Sequence, residues 1–225
     1  MLAPVQIEVC VESVASAQAA ERGGAHRIEL CSDLLEGGLT PSVGMIEAVR
    51  AQISIPMHIM IRPRAGDFCY DDQELDVMRR DILIAKTLGV QGVVLGVLDT
   101  AGNIDISRTR LLVKLARPLS VTFHRAFDMA SDLMRALDDV CSAGADRLLT
   151  SGGEPTCLQG AGMIASLVQA AGGRVAIMAG SGIRPENAVN AVHQTGVRDR
   201  MPISAQADGR GRHRHLREGG SLAAG

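Results

Sequence analysis

Ile7-Glu8-Val9-Cys10 and Ile28-Glu29-Leu30-Cys31 are two nearly identical segments of this chain. Each predicts a β-strand with a carboxylate and a thiol two residues apart, so that both side chains point to the same face. Each is followed by a helical pattern, which favours two parallel neighbouring strands with the cysteines at their carboxyl ends. Because adjacent strands lie roughly 4.8 Å apart, we expect the thiols of Cys10 and Cys31 to meet.

The same alternation of strand and helix continues along most of the chain. Strands are predicted at 6–10, 27–31, 56–61, 92–96, 120–124, 147–150 and 174–178. Helices are predicted at 13–22, 42–52, 71–88, 105–116, 132–143, 160–171 and 185–194, with N-caps at Ser13, Ser42, Asp71, Asp105 and Asp132. Seven βα units in series indicate a parallel sheet, and about 28 residues per unit suits an α/β fold of the (β/α)8 TIM-barrel type. A doubly wound open sheet is the alternative.

The eighth unit is the least regular part of the predicted barrel. Residues 201–205 fit a short strand, but Pro202 suits a central strand poorly because proline lacks the N–H group. From Arg198 onward the chain is rich in arginine and glycine and shows no hydrophobic periodicity. We therefore predict a barrel domain over 1–197 and a divergent, disordered tail over 198–225, which leaves closure of the barrel in question.

Composition excludes several classes of protein. A net charge of −2 argues against a general role at nucleic acids or membrane surfaces. The five cysteines contain no CxxC pair, which favours reduced thiols over a disulfide framework. The first twenty residues carry Glu8 and Glu12 but no lysine or arginine, and no apolar run approaches the ~18 residues of a membrane span. We expect a cytoplasmic protein; the sequence leaves open whether it forms a homo-oligomer.

Polar residues collect where the predicted strands end, which is the functional face of a parallel barrel. Two facing thiols, Cys10 and Cys31, in a reducing compartment predict a site for a soft metal such as Cu(I), although thiolates also accept Zn(II). Arg62 and Arg64 follow the third strand, where they could grip a carboxylate or phosphate. The alternative for these arginines is an internal ion pair with Glu8 or Glu29.

Three further strand ends carry candidate residues. His124 is a candidate general acid or base, with Asp128 fixing its tautomer and Arg125 beside it. Ser151, in Thr150-Ser151-Gly152-Gly153, and the turn Gly180-Ser181-Gly182 could bind a phosphate through backbone amides. Structural explanations, a satisfied histidine and tight-turn sterics, account for these residues about as well.

Several longer segments resemble the CutC copper-homeostasis family. They are Glu29-Leu-Cys-Ser, Glu36-Gly-Gly-Leu-Thr-Pro-Ser, Ile61-Arg-Pro-Arg-Ala-Gly-Asp-Phe-Cys-Tyr, Val121-Thr-Phe-His-Arg-Ala-Phe-Asp and Leu149-Thr-Ser-Gly. The resemblance runs from about Ile7 to Val197 and implies a cytoplasmic (β/α)8 barrel linked to copper handling. It also implies Cu(I) ligands at Cys10 and Cys31. The chain departs from the family pattern after Val197, and our hypothesis is that a frameshift or truncation replaced the family's usual end.

Two functions therefore stand side by side at this stage. One is a copper-homeostasis protein that binds Cu(I) through Cys10 and Cys31. The other is an enzyme for a small anionic substrate, a phosphate or carboxylate, held by Arg62, Arg64, Arg125, Ser151, Ser181 and Gly182 with His124 and Asp128 as the acid–base pair. A barrel without chemistry that acts through a partner surface ranks last, because no sequence feature marks such a surface.

Overall fold

Eight parallel strands form a closed barrel in which each strand pairs with its neighbours in sequence. The computed structural model describes residues 5–197 and the backbone of residues 203–206. The strands are β1 (Ile7–Val11), β2 (Arg27–Leu30), β3 (Met57–Met60), β4 (Gly92–Leu95), β5 (Ser120–Phe123), β6 (Arg147–Thr150), β7 (Ala176–Gly180) and β8 (Ile203–Gln206). The (β/α)8 barrel is confirmed, and the open doubly wound sheet is wrong.

Helices follow the first seven strands as the sequence predicts. They are α1 (Val14–Arg22), α2 (Val43–Arg50), α3 (Asp72–Thr87), α4 (Ile106–Ala116), α5 (Leu133–Ala143), α6 (Ala161–Ala171) and α7 (Ala188–Thr195). The predicted N-caps are confirmed, since the side chains of Ser13, Ser42, Asp71, Asp105 and Asp132 all accept a hydrogen bond from a backbone amide of their helix. Within the described residues no helix has the length and apolar composition needed to cross a membrane.

Strand β8 closes the barrel between β1 and β7. Ile203 lies opposite Ile7 on one side and opposite Ala179 on the other. The strand begins immediately after Pro202, and the closure that the sequence left in question is present. It also lies inside the segment predicted to be a divergent tail. The rest of that segment, 198–202 and 207–225, lies outside the described residues.

Alternate residues of the strands face two different buried regions, the barrel lumen and the layer between the sheet and the helices. Outward-facing side chains such as Ile28 and Ile59 pack with helix residues such as Ile46 and Met78 in one apolar layer between sheet and helices. The residues between them are buried as well, but many are polar: Glu8, Arg27, Glu29, His58 and Thr122 all belong to strands and are at most 7% exposed. The barrel lumen is therefore polar, whereas the layer around it is apolar.

An ion pair lies inside this lumen. The Arg27 guanidinium donates through Nε to the Glu8 carboxylate, and Nδ1 of His58 is 3.9 Å from the same carboxylate oxygen. Burial, with the positive charges of Arg27 and Arg147, holds the pKa of His58 well below its usual range. The alternative in which Arg62 or Arg64 pairs with Glu8 or Glu29 is wrong, because β2 supplies the partner of Glu8 and the described ion pairs join neither arginine to Glu29.

Candidate functional site

A cavity of about 330 Å³ opens at the carboxyl ends of the strands. Among its lining residues are the predicted site residues Cys10, Cys31, Arg62, His124, Arg125, Ser181 and Gly182. Glu29, Met60, Phe68 and Leu149 contribute further walls, and the turn at 34–37 covers one side. The structure therefore brings most of the predicted residues to one place, as expected for a parallel barrel.

The two thiols share this cavity, and the strand register sets a carboxyl group opposite Cys10. Cys10 lies opposite Glu29 in the β1–β2 ladder, and its Sγ donates a hydrogen bond of 2.9 Å to Oε2 of Glu29. Cys31 follows β2 directly and is 1% exposed. Glu29 lines the same cavity as the two thiols.

Both thiols favour their protonated forms. Burial is the main cause that raises the pKa of Cys10, and the negative charge of Glu29 adds to it. Burial and Glu29 also raise the pKa of Cys31, in that order of importance. Both groups are therefore thiols at neutral pH, and a metal that bound them would have to displace their protons.

The pKa of the Glu29 carboxyl group is shifted as well. Burial and the nearby charge of Glu8 raise its pKa to about 7, while the Cys10 hydrogen bond and the charge of Arg27 act in the opposite direction. Its second oxygen, Oε1, is buried without a hydrogen-bond partner among the described residues. Glu29 is thus a buried carboxyl group that exchanges its proton near neutral pH.

Arg62 is held firmly at the end of β3. It is 4% exposed, and its Nη1 donates to the carbonyl oxygens of Glu36 (2.6 Å) and Gly38 (3.2 Å). Nη2 donates to the carbonyl oxygen of Gly66 at 2.9 Å. The guanidinium lies 4.7 Å from the centre of the Phe68 ring, and no described residue accepts a hydrogen bond from its Nε.

His124 is fixed by the backbone that follows it. It caps the 3₁₀ turn Arg125–Met129, and its Nδ1 accepts a hydrogen bond of 3.1 Å from the amide of Ala126. Nδ1 is therefore the acceptor nitrogen and the neutral ring carries its proton on Nε2, which has no partner in the described structure. Burial and the charge of Arg62 lower the pKa of His124 to about 3, so the ring is neutral at physiological pH.

Gly96 creates the space that the His124 ring occupies. A Cβ on Gly96 would lie 2.6 Å from Nδ1 and Cε1 of that ring, far inside van der Waals contact. The Phe68 ring packs on the same imidazole, with 4.9 Å between ring centres. Phe68 therefore contacts both His124 and the guanidinium of Arg62, and all three line the cavity.

Asp128 does not fix the tautomer of His124, and that part of the prediction is wrong. The amide of Ala126 performs that role instead. Asp128 accepts hydrogen bonds from the amide of Ser151 and from Nε of Arg125, at 3.0 and 2.9 Å. Its carboxylate connects the loop after β5 to the loop after β6, beside the cavity lining.

Arg64 and Ser151 also lie outside the cavity lining. Arg64 turns away from Arg62 and pairs with Glu74 of α3 and, at 3.0 Å, with Asp67. Ser151 is buried, and its Oγ accepts a hydrogen bond of 2.9 Å from Nη2 of Arg125. Arg64 therefore stabilises the loop after β3, and Ser151 orients Arg125.

The Ser181–Gly182 turn reaches the cavity but is separated from the helix that follows. Both residues have left-handed backbone, with φ of 77° and 72°, and the Ser181 hydroxyl donates to the carbonyl oxygen of Pro155 at 2.7 Å. Helix α7 begins only at Ala188. The amides of this turn are therefore not the N-terminus of a helix, which weakens the expectation of a phosphate site here.

Sequence reasoning missed the contributions of Glu29 and Phe68 to the cavity. Glu29 was visible as an alternating polar residue of β2, but only the register shows that it faces Cys10 rather than the layer below. Phe68 lies in the loop after β3, where no periodicity indicates its direction. No group of three or more histidine, cysteine, aspartate or glutamate side chains within the described residues is arranged to hold a metal ion.

Comparison with known proteins gives a consistent result. The model of the CutC family matches residues 5–205. The copper homeostasis protein cutC homolog of Mus musculus is 52% identical over 181 residues, covering 80% of this chain and 66% of the mouse protein, so the chain spans just under two thirds of that relative. A CutC family protein of Chromobacterium violaceum is 49% identical, with 80% and 73% covered. The crystal structure of CutC from Streptococcus agalactiae has a TM-score of 0.83 at 32% identity and covers 90% of this chain and 99% of that one.

Proposed function

Because the chain belongs to the CutC family, we propose that it is a copper-homeostasis protein that binds Cu(I) through Cys10 and Cys31. The observation that carries the proposal is the presence of both thiols in the lining of a single cavity. The names of the mouse relative and of other relatives support the link to copper.

The chemistry of the ligands favours Cu(I) over zinc. Thiolates are soft ligands that select Cu(I), and Cu(I) accepts a low coordination number. Structural zinc sites are almost always four-coordinate, whereas the described residues offer no larger cluster of metal-binding side chains. Two thiolates at one cavity therefore match Cu(I) better than Zn(II).

Charge balance makes the proposed binding dependent on pH. Each thiol must lose its proton, and a Cu(I) ion between two thiolates carries one net negative charge. The carboxylates of Glu8 and Glu29, which raise the pKa of both thiols, oppose that charge. Cu(I) affinity should therefore fall as the pH is lowered, because protons compete for the same sulfur atoms.

The same site requires a reducing environment. All five cysteines lie within the described residues, and none forms a disulfide. Cu(I) and reduced thiols both persist in the cytosol, so we place the proposed function in the cytoplasm.

A competition experiment tests the assignment. The reduced full-length chain is titrated with Cu(I) against a colorimetric Cu(I) chelator, and the stoichiometry and affinity are compared with those of a Cys10→Ser/Cys31→Ser variant. The matched control is Cys69→Ser/Cys141→Ser, which removes two partly exposed thiols that do not line the cavity. We expect high-affinity Cu(I) binding to be lost in the first variant and kept in the second. Equal Cu(I) affinity in the wild type and the Cys10→Ser/Cys31→Ser variant would refute the proposal.

A further inference from the structure

We propose that the same cavity binds a small organic monocarboxylate between the side chains of Arg62 and His124, independently of copper. Both residues are more than nine-tenths buried, both line the cavity, and both keep one N–H donor without a partner in the described structure. Copper binding by thiols requires neither of them.

The charge of Arg62 is the strongest indication of an anionic ligand. None of the ion pairs formed by the described residues involves Arg62. In the described structure the groups in contact with its guanidinium are uncharged, namely three backbone carbonyl groups and the ring of Phe68. A buried guanidinium without a counter-charge is costly, and an anion in the cavity removes that cost.

The geometry of Arg62 is already set for such a ligand. Three backbone carbonyl groups fix its Nη1 and Nη2 atoms, so the guanidinium cannot rotate away when the cavity is empty. Its Nε–H is a buried donor that no described residue satisfies, and we assign it to a ligand oxygen. Pre-orientation of this kind reduces the entropy lost on binding.

His124 supplies a second donor of a different kind. Because Nδ1 accepts from Ala126, the Nε2–H group is a buried donor, and it has no partner among the described residues. The ring is neutral, so it adds a hydrogen bond to the ligand but no charge. One charged donor and one neutral donor suit the two oxygens of a carboxylate.

The remaining charges of the cavity favour a monoanion over a phosphate dianion. Arg125, the other lining arginine, is paired with Asp128 at 2.9 Å. Glu29 and Glu36 also line the cavity and repel added negative charge. Of the two arginines that line the cavity, Arg62 is the one without an ion-pair partner among the described residues, so it matches a ligand with a single negative charge.

The apolar walls indicate the rest of the ligand. Phe68, Met60, Leu149 and Met129 line the cavity and would contact a short hydrocarbon part. A volume of about 330 Å³ lies at the lower end of small-molecule sites. The ligand is therefore a short organic acid, for which affinities in the millimolar range are expected from its size.

Calorimetric titration of the reduced, copper-free full-length chain tests the proposal. The probes are acetate, lactate and butyrate, with acetamide as the uncharged analogue and inorganic phosphate as the dianion. We expect at least one carboxylate to bind, acetamide not to bind, and phosphate to bind more weakly. Tighter binding of phosphate, or no binding of any carboxylate at about 50 mM, far above the expected millimolar affinity, would overturn the proposal.

Variants locate the binding site. Arg62→Met removes the charge, and His124→Phe removes the donor while keeping a ring, so each should weaken carboxylate binding by about tenfold or more. Arg80→Met is the matched control, since Arg80 is an exposed residue that pairs with Asp76 outside the cavity lining, and its affinity should equal that of the wild type. Since Arg62→Met removes contacts to three backbone carbonyls, His124→Phe decides the outcome if Arg62→Met fails to fold. Wild-type affinity in His124→Phe would contradict the assignment.

The proposal of Cu(I) binding and the proposal of carboxylate binding can be refuted independently of each other. The Cys10→Ser/Cys31→Ser variant should lose Cu(I) and keep carboxylate affinity, whereas His124→Phe should lose carboxylate affinity and keep Cu(I). Loss of carboxylate binding in the cysteine variant, when its unfolding curve is unchanged, would show that the two sites are not independent and would overturn this inference.

Discussion

The Cys10 thiol donates a 2.9 Å hydrogen bond to Oε2 of Glu29 across the β1–β2 ladder. A thiol and a carboxyl group are therefore coupled inside the cavity, and the negative charge of one disfavours that of the other. Removing the charge of Glu29 should make the Cys10 thiolate easier to form.

Glu29→Gln should increase the reactivity of Cys10 towards an alkylating reagent at pH 8. The substitution keeps the volume and an acceptor oxygen but removes a charge that raises the pKa of Cys10. The rate of alkylation by iodoacetamide is measured as a function of pH for the Cys10 peptide by mass spectrometry. The pH at which this rate is half-maximal should be lower for Glu29→Gln than for the wild type. Glu21→Gln is the control, because the Glu21 carboxylate binds Ser54 on the surface. Identical profiles for Glu29→Gln and the wild type would contradict the coupling.

His124 should contribute to the loss of stability in acid. Its pKa in the folded chain is about 3, compared with 6.5 for an exposed histidine. The unfolded chain therefore binds the extra proton first, so this contribution to stability is complete above pH 6.5 and is lost as the pH falls towards 3. Between pH 7 and pH 4.5 the loss should be about 2–3 kcal/mol.

A variant that lacks the His124 imidazole measures this contribution directly. In His124→Asn the asparagine oxygen can still cap the 3₁₀ turn, but it cannot take up a proton in this range. Urea unfolding at pH 7 and pH 4.5 should show a smaller decrease in the free energy of unfolding for His124→Asn than for the wild type. His193→Asn, at an exposed position of α7, should behave as the wild type does. The prediction fails if His124→Asn and the wild type lose the same stability.

The buried ion pair of Arg27 and Glu8 should be costly to break. Arg27→Met removes the ion-pair partner of the buried Glu8 carboxylate, whose distance to His58 is 3.9 Å, and should reduce the free energy of unfolding by about 3–5 kcal/mol. The exposed pair of Arg80 and Asp76 provides the comparison, and Arg80→Met should cost at most about 0.5 kcal/mol. Urea unfolding at pH 7 measures both. Similar losses in the free energy of unfolding for Arg27→Met and Arg80→Met would show that water reaches the barrel lumen.

The fold was predictable because its signals are local. Apolar runs, helical periodicity and capping residues such as Asp71 and Asp132 each act within a few positions of the chain. They place strands and helices without any knowledge of the barrel. Even β8 was visible as a candidate strand, although Pro202 counted against it.

The contacts within the site depend on register, which local signals do not determine. Spacing placed Cys10 and Cys31 at one rim, but the stagger between β1 and β2 sets Cys10 opposite Glu29. In the same way, proximity in sequence suggested that Asp128 serves His124, whereas the 3₁₀ turn after β5 directs Asp128 towards Ser151. The sequence thus predicts which residues gather at the cavity, but it does not predict which hydrogen-bond partner each of them has.

Gly96→Ala should destabilise the protein and disturb the cavity, because the methyl group would lie 2.6 Å from the His124 ring. The ring is held between Phe68 and the amide of Ala126, so it cannot move without losing one of these contacts. We expect a cost of about 1–3 kcal/mol in the free energy of unfolding, as for other overpacked cores. Gly44→Ala is the matched control: Gly44 lies in α2 with open space around its Cβ position, and the same substitution there should stabilise the helix by up to about 0.5 kcal/mol. If urea unfolding shows that Gly96→Ala lowers the free energy of unfolding and Gly44→Ala raises it, the His124 ring is rigidly placed. If Gly96→Ala leaves the free energy of unfolding unchanged, the ring can move away from the cavity wall to which Arg62 also belongs.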